Sequence, residues 1–423
     1  MTNIRQKIYS LLRWSERYTK TDNVYLAKGG GWLTAGQTIS SALALILTIG
    51  FANLIPPHDY GIYRYVVSWI NLLTAGTIIG LNTSLIQSVA RGLEGSFGEI
   101  FFTKLKWSAL ASLGSLILAV YYFINNDRLL GWSFVITATC LPLLKTSGLY
   151  AAILYGRKDF SLSTKINSFT RAVSVLAMLG TLLLTDNLIL ILFAFFLPET
   201  LLQLYFTLYI LRKTPPNNLS DPNTRKYGLH LSLMEVLKVI ASQIDKLLVF
   251  HYLGAAELAI YYFALAVPGQ VKSVLQNTTS LALPKMSGAN SVDLKNSLPQ
   301  KIWRLELIMI VVVLLYIIIA PTAYQFVFPQ YLESVLFSQV LAVSLLFLPR
   351  TFLSTAMVAK GKHRELYGLR ITSPIARIFI IFISLRWFGL WGLITGRLVA
   401  DFFQLMIYQF YFKRAFRETT PLD

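Results

Sequence analysis

Eight basic residues sit inside stretches that are otherwise apolar: Lys145, Arg171, Lys238, Lys246, Lys272, Arg350, Arg377 and Arg397. Five acids accompany them, Glu199, Glu235, Asp245, Glu306 and Asp401, which leaves these stretches with three positive charges in excess. Ionisable groups in a hydrocarbon setting are costly and by default face a cavity, a partner or a substrate path. At 3.6 residues per turn, Glu235, Lys238, Ser242, Asp245 and Lys246 fall within roughly 100° of one helix face. Thr34, Gln37, Ser41 and Thr48 share another face, as do Arg64, Ser68, Asn71 and Asn82, and Lys272, Gln276 and Thr279. Arg397, Asp401 and Gln404 follow at i, i+4 and i+7. Basic side chains so placed can compensate a buried anion. Glu235, Asp245 or Asp401 can couple movement to a proton or sodium gradient. A structural reading stands beside this one: Asp245 pairs with Lys238 or Lys246, and Arg397 with Asp401, only to neutralise charge and fix packing. Glu306, Arg171 and Arg377 lie near span ends, where a long side chain can snorkel.

The elements that must position these groups are membrane helices. Of 423 residues, 55% are apolar and only 14% charged, and mean hydropathy is +0.57; a soluble domain carries roughly 25% charged residues. A soluble fold is thereby excluded. The single cysteine, Cys140, excludes a disulfide framework and a cysteine metal cluster. The four histidines, at 58, 230, 251 and 363, lack metal-ligand spacing. No metal or other cofactor is expected. No Ser-His or Cys-His arrangement and no paired catalytic carboxylates appear, so the chain does not read as an enzyme.

Twelve stretches are long enough to span a bilayer, which takes about 20 apolar residues each: 31–54, 63–89, 105–124, 132–155, 166–184, 188–211, 229–252, 259–283, 303–320, 334–359, 366–385 and 389–412. The fifth and sixth are divided only by Thr185-Asp186-Asn187, the eleventh and twelfth only by Arg386-Trp387-Phe388. Counted on this topology, segments on the side of the termini hold 27 Lys and Arg, and the opposite side holds Arg64, Arg128 and Arg386. The positive-inside rule then places both termini in the cytoplasm. The net charge of +18 is a topology signal that also attracts anionic lipid, and nucleic acid is not an expected partner. In residues 1–28, Ile4, Ile8, Leu11 and Leu12 recur among basic residues as in an interfacial helix. This segment does not read as a signal peptide, and Gly29-Gly30-Gly31 after it reads as a hinge.

The chain also resembles itself. Phe51…Tyr60-Gly-Ile-Tyr63 matches Phe250…Leu258-Ala-Ile-Tyr261, and Gly156-Arg157-Lys158 with Arg171 matches Gly361-Lys362-His363 with Arg377. Both displacements are about 200 residues, across an even number of spans, as in parallel repeats whose site lies between the halves. The expected organisation is an interfacial segment (1–28), an N-lobe (29–211), a cytoplasmic linker (212–228), a C-lobe (229–412) and a tail (413–423).

Two six-helix repeats, Tyr60-Gly-Ile-Tyr63 opening the second span, and Asp245-Lys246…Leu253-Gly254…Ala259-Ile-Tyr261 resemble the polysaccharide-exporter branch of the multidrug/oligosaccharidyl-lipid/polysaccharide (MOP) flippase superfamily, and within it the O-antigen repeat-unit flippases. The resemblance implies an all-α, MATE-like fold of about twelve helices in two lobes, rocking around a cationic cavity. It implies a lipid-linked oligosaccharide on undecaprenyl pyrophosphate, moved from the cytoplasmic to the periplasmic leaflet of a bacterial inner membrane. Polymerase and chain-length-regulating proteins of surface polysaccharide assembly are the partners it suggests, besides membrane lipids. The candidate substrate-binding residues are Gln37, Arg64, Asn71, Lys145, Lys238, Lys246, Lys272, Gln276, Arg350 and Arg397. Two alternatives stay open: an ion-coupled small-molecule or multidrug exporter of the same fold, and a membrane polymerase or ligase of the same pathway. The segment at 321–333, the longest expected periplasmic connection, has one acid and no base, which speaks against the enzyme.

Overall fold

A computed structural model describes residues 23–288 and 290–417, with side chains described over that range except at 23–28, 234, 274–281, 283–285 and 363. The interfacial segment expected before residue 23 and the end of the tail after 417 lie outside the described residues. All regular structure described is helical. The spans are α1 (Asn23–Leu54), α2 (Pro57–Thr77, then Gly80–Ala90 after a 50° bend), α3 (Ser96–Ile124), α4 (Arg128–Gly156), α5 (Phe160–Leu184) and α6 (Leu188–Lys213). They continue as α7 (Asn223–Leu253), α8 (Ala255–Gly288), α9 (Ser291–Val327) and α10 (Ser334–Ala359). The final helical stretch, His363–Ala415, is broken at Gly389 (φ 57°, ψ −140°) into α11 (363–388) and α12 (390–415).

Gly389 turns the chain back on itself. A β-carbon on Gly392 would lie 1.9 Å from the Ser384 carbonyl oxygen, one on Gly396 2.5 Å from Ser384 Oγ, and one on Gly368 2.6 Å from the Tyr411 ring. Contacts 384–392, 384–396 and 368–411 are those of an antiparallel pair, so the eleventh and twelfth spans are separate crossings. Thr185–Asn187 likewise makes a hairpin, with Asn187 Oδ1 accepting from Ile189 N at 2.9 Å to cap α6. Eight described helices are long and apolar enough to cross a membrane, nine with the bent α2, when 363–415 counts once. α7 falls short because it carries the charges Glu235, Lys238, Asp245 and Lys246, around which the site is built.

The internal repeat is visible in the backbone. α1 and α7 end at Leu54 and Leu253, and α2 and α8 start at Pro57 and Ala255. In the second match the expected pairing of Gly156 with Gly361 shifts: Lys158 (φ 64°) and Gly361 (φ 62°) take the equivalent left-handed turn before α5 and α11. Each copy needs a positive φ there, and only one uses glycine for it.

α1, α3, α4, α5 and α6 pack among themselves, as do α8 to α12, and α2 and α7 bridge the two groups. Small residues permit that bridging. A β-carbon on Gly61 would meet the Ala255 carbonyl oxygen at 1.8 Å, and one on Gly80 would meet the Gly228 carbonyl oxygen at 2.5 Å. Around the first crossing Phe51, Tyr60, Tyr63, Phe263, Phe328 and Tyr331 form a fully packed ring cluster, with Phe263 and Tyr331 stacked at 3.8 Å. Around the second, Gly80 N donates to Ser232 Oγ at 2.8 Å.

The expected linker is shorter in the structure, because α7 already begins at Asn223. Its remaining residues lie against the N-lobe: Arg91 pairs with Asp221 at 2.5 Å, and Gly95 N donates to Leu219 O at 2.9 Å. Beside it Arg157 ties three connections together, donating to both Glu94 carboxylate oxygens (2.8 and 2.6 Å) and to Thr214 Oγ1 and O (2.6 and 3.0 Å). The hydrogen bonds from Arg157 hold Glu94 below its ordinary carboxylate value, against an opposing push from burial. A carboxylate with a lowered folded-state pKa contributes stability that is complete above its unfolded pKa and lost as pH falls through the lowered one. Glu94→Gln should therefore lower the melting temperature near pH 7, and the gap to the parent protein should narrow and close as pH falls through the lowered carboxylate pKa. A gap that persisted in acid would assign the effect to packing.

Candidate functional site

Among the described residues the charges separate into a set paired with carboxylates and a set, Arg64, Lys246 and Lys272, with no carboxylate within 4.0 Å. Asp245, 1% exposed on α7, is saturated. Its Oδ2 accepts from Tyr261 OH at 2.7 Å and from Arg397 Nη1 at 2.9 Å, and its Oδ1 accepts from the Lys246 backbone N–H at 3.0 Å. Arg397 also donates to Tyr261 OH, closing a three-membered cluster across α7, α8 and α12. Asp401 faces Arg377 of α11 at 3.5 Å. Sequence spacing suggests Arg397 with Asp401 and Asp245 with a lysine of its own helix; the packing of α12 between α7 and α11 instead pairs both acids across helices. Arg377 therefore does not snorkel. Arg350 makes a two-pronged pair with Glu306 of α9, with Nη2 to Oε2 at 3.0 Å, so its charge is neutralised and it does not face the other cations.

The interface set centres on Arg64 of α2. Its Nε donates to Tyr60 OH at 2.6 Å, and the guanidinium lies 4.6 Å from the Tyr262 ring centre, 5.0 Å from that of Tyr60 and 5.7 Å from that of Tyr63. A guanidinium over an aromatic face is attracted by the ring quadrupole. Tyr262 OH is in turn 2.9 Å from Ser68 Oγ, one helical turn beyond Arg64. Lys246 also approaches Tyr262, 5.8 Å from its ring centre, while donating to Ser242 O (2.6 Å) and Gln243 Oε1 (3.1 Å). Among the described residues neither Arg64, Lys246 nor Lys272 has a carboxylate within 4.0 Å. Arg64, expected in a periplasmic loop by the charge count and in the cavity by its stripe, is a half-buried interface residue.

Lys272 of α8 lines a cavity of about 320 Å³ together with Glu235, Lys238, Asp401, Gln404 and Arg370. Glu235 there holds Lys238 at 3.0 Å and Arg370 at 4.0 Å, and the Lys238 side chain is 74% exposed. Gln37 of α1 donates to Ser273 Oγ of α8 at 3.1 Å, a further cross-lobe contact, and lines a separate cavity of about 340 Å³ with Thr34, Ser40, Tyr155 and Asn167. The side chains of Gln276 and Thr279 lie outside the described residues.

The stripe expected along the second span does not survive the bend in α2. Arg64 and Ser68 meet Tyr262, Asn71 is exposed, and Asn82, beyond the break, turns into the N-lobe. There Asn82 Oδ1 accepts from Lys104 Nζ at 2.5 Å. Lys104, counted from sequence as a loop cation, is 4% exposed within α3. Lys145 belongs with Lys104 and Glu199 in this N-lobe group, apart from Arg64. The site residues that spacing of charges did not single out are Tyr60, Tyr261 and Tyr262; their signal is aromatic residues at helical distance from a buried charge, as in Tyr60 and Arg64 at i, i+4.

The polysaccharide biosynthesis protein family matches residues 26–287, well over half of the chain. The chain belongs to that family. No curated protein matches it. Solved structures share its fold throughout this family member's length. An outward-facing multidrug resistance MATE transporter of the MOP superfamily aligns with a TM-score of 0.61 at 15% identity, covering 93% of this chain and 97% of that one. The inward-facing form of a MATE transporter gives 0.59 at 15% identity, covering 91% and 96%. A MOP-superfamily transporter from Pyrococcus furiosus, whose binding pocket is described as reversed in polarity, gives 0.57 at 16%, covering 93% and 97%. The polysaccharide biosynthesis family member is thus a multi-pass membrane protein with the twelve-helix MOP fold.

Removing one partner of a buried pair leaves an uncompensated charge, at a cost of about 3–5 kcal/mol. Asp245→Asn and Arg397→Gln should each lower thermal stability in detergent strongly, and the double variant should recover part of the loss. Additive losses would mean that the two side chains do not interact.

Proposed function

We propose that this protein is a flippase that moves a lipid-linked oligosaccharide, carried on a prenyl pyrophosphate of the undecaprenyl type, from the cytoplasmic to the periplasmic leaflet of a bacterial inner membrane during surface polysaccharide assembly. The observation that carries the reading is the imbalance at the lobe interface. Asp245 and Asp401 are already held by arginines, while Arg64 and Lys246 at the interface, and Lys272 in the adjoining C-lobe cavity, have no carboxylate within 4.0 Å among the described residues. A pyrophosphate brings the missing negative charge, and charge-assisted hydrogen bonds of arginine to phosphate oxygens are short and strong. Tyrosine faces beside Arg64 and the amides of Gln37 and Gln243 suit sugar rings and hydroxyls. The prenyl chain remains in lipid outside the lobes. Family membership supports the polysaccharide side of the reading, and the MOP fold supports alternating access. On this reading the basic face is cytoplasmic, and the Gly61–Ala255 crossing is what must part for release on the other side.

With Asp245 and Asp401 engaged by arginines, coupling would act by exchanging those pairs for a proton or sodium ion. An exporter of organic cations on the same fold is disfavoured, because free positive charge at the interface repels such a substrate.

Reconstitution in proteoliposomes with a prenyl-pyrophosphate oligosaccharide, read as loss of lectin-accessible sugar from the outer leaflet, tests the reading. Protein-dependent movement is expected. Arg64→Gln should slow it by roughly tenfold, the worth of one charge-assisted contact. Lys238→Gln, whose side chain is solvent-exposed and paired, should change it by less than about twofold. Movement unaffected by Arg64→Gln and Lys272→Gln together would overturn the pyrophosphate role.

A further inference from the structure

On the C-lobe, away from the lobe interface, the start of α9, the middle of α10 and the end of α12 enclose a cleft of about 500 Å³. Its floor is apolar: Ile302, Leu353, Phe412 and Phe416 line it, each 5% exposed or less. Its rim is cationic. Lys295, Lys413 and Arg417 are all exposed, and none has an acidic partner within 4.0 Å among the described residues. Arg350, the remaining charged residue of the lining, is occupied by Glu306, and no described carboxylate lines the cleft.

The vertical order of these residues is informative. Lys295 and Ile302 precede the long apolar run of α9, which starts at Leu307 after Arg304 and Glu306; on α12 the apolar run through Phe412 passes into Lys413 and, about one turn on, Arg417. Cations thus stand where hydrocarbon gives way to headgroups, with aromatic and aliphatic surface immediately below them. A free phosphate would use the rim and leave the floor wet. A molecule with a phosphodiester joined to an acyl chain uses both. We propose that this cleft binds one acidic glycerophospholipid of the adjoining leaflet, its phosphate on Lys295, Lys413 and Arg417 and the upper part of a chain against Phe412 and Phe416. The lipid ties the ends of α9 and α12 together and offsets three like charges crowded on one rim. This site is independent of the flippase reading, since it lies outside the lobe interface and takes a bulk membrane lipid.

The test is native mass spectrometry of the delipidated full-length protein offered equimolar phosphatidylglycerol and phosphatidylcholine. The parent protein should retain phosphatidylglycerol selectively. The variant Lys295→Gln/Lys413→Gln/Arg417→Gln should lose affinity by roughly fivefold per cation removed, with its melting temperature in phosphatidylcholine unchanged. A charge-matched control, Lys106→Gln/Arg212→Gln/Lys226→Gln, alters exposed cations elsewhere and should retain the lipid. Equal loss in the control, or undiminished retention in the cleft variant, would overturn the site. Displacement of phosphatidylglycerol by inorganic phosphate alone would show a free-anion site instead, and tighter retention of undecaprenyl phosphate in the cleft would assign it to the carrier lipid; either outcome overturns the proposal.

Discussion

A guanidinium held among tyrosine rings joins the two halves of this protein. Arg64 stands seven residues into α2, and the equivalent residue of the second repeat, counted from the start of α8, is Tyr262. The Arg64 guanidinium lies over the Tyr262 ring. Equivalent positions of a repeat come into contact only close to the axis that relates them, so this pair marks where the lobes meet. Cation–aromatic contact suits that place. It tolerates sliding better than a two-pronged salt bridge, since a ring face offers a broad attractive surface while a carboxylate demands fixed geometry.

The approach of α2 to α8 depends in turn on Gly61, where any side chain would collide with the Ala255 carbonyl. The same economy recurs at Gly80 against Gly228. Small residues at helix crossings are what membrane proteins use when apolar burial alone gives no reason for helices to associate. Here they set how near the aromatic cluster on one side and the α2–α7 contact on the other can come.

Neutralisation follows a consistent rule through the C-lobe. The two buried acids described there each take an arginine from another helix, Asp245 from α12 and Asp401 from α11, and half-buried Glu306 takes one from α10. Such pairs are weak as a source of net stability but strong as a constraint on register, because a mismatched packing strands a charge. What is left after pairing is positive and sits at the interface, on the headgroup-level rim, and in the N-lobe on Lys104, whose described partner is the neutral Asn82.

The sequence by itself determined the membrane class, all twelve crossings, the excess of interior positive charge and the two-fold repeat, because these depend on local quantities: the length of apolar runs, residue counts, and similarity at a fixed offset. It even located both tight hairpins, though Gly389 could not be distinguished from a helix kink until Ser384 was seen against Gly392. Tertiary structure decided which charges are partners. Helical periodicity ranks neighbours within one helix, so it put Arg397 with Asp401, kept Arg64 and Asn82 on one stripe across a bend it could not see, and left Lys104 in a loop. The pairs that form, Asp245 with Arg397 and Asp401 with Arg377, join residues 152 and 24 positions apart. A buried charge takes the partner that the packing of helices brings within reach, and that packing is not a property of any one helix.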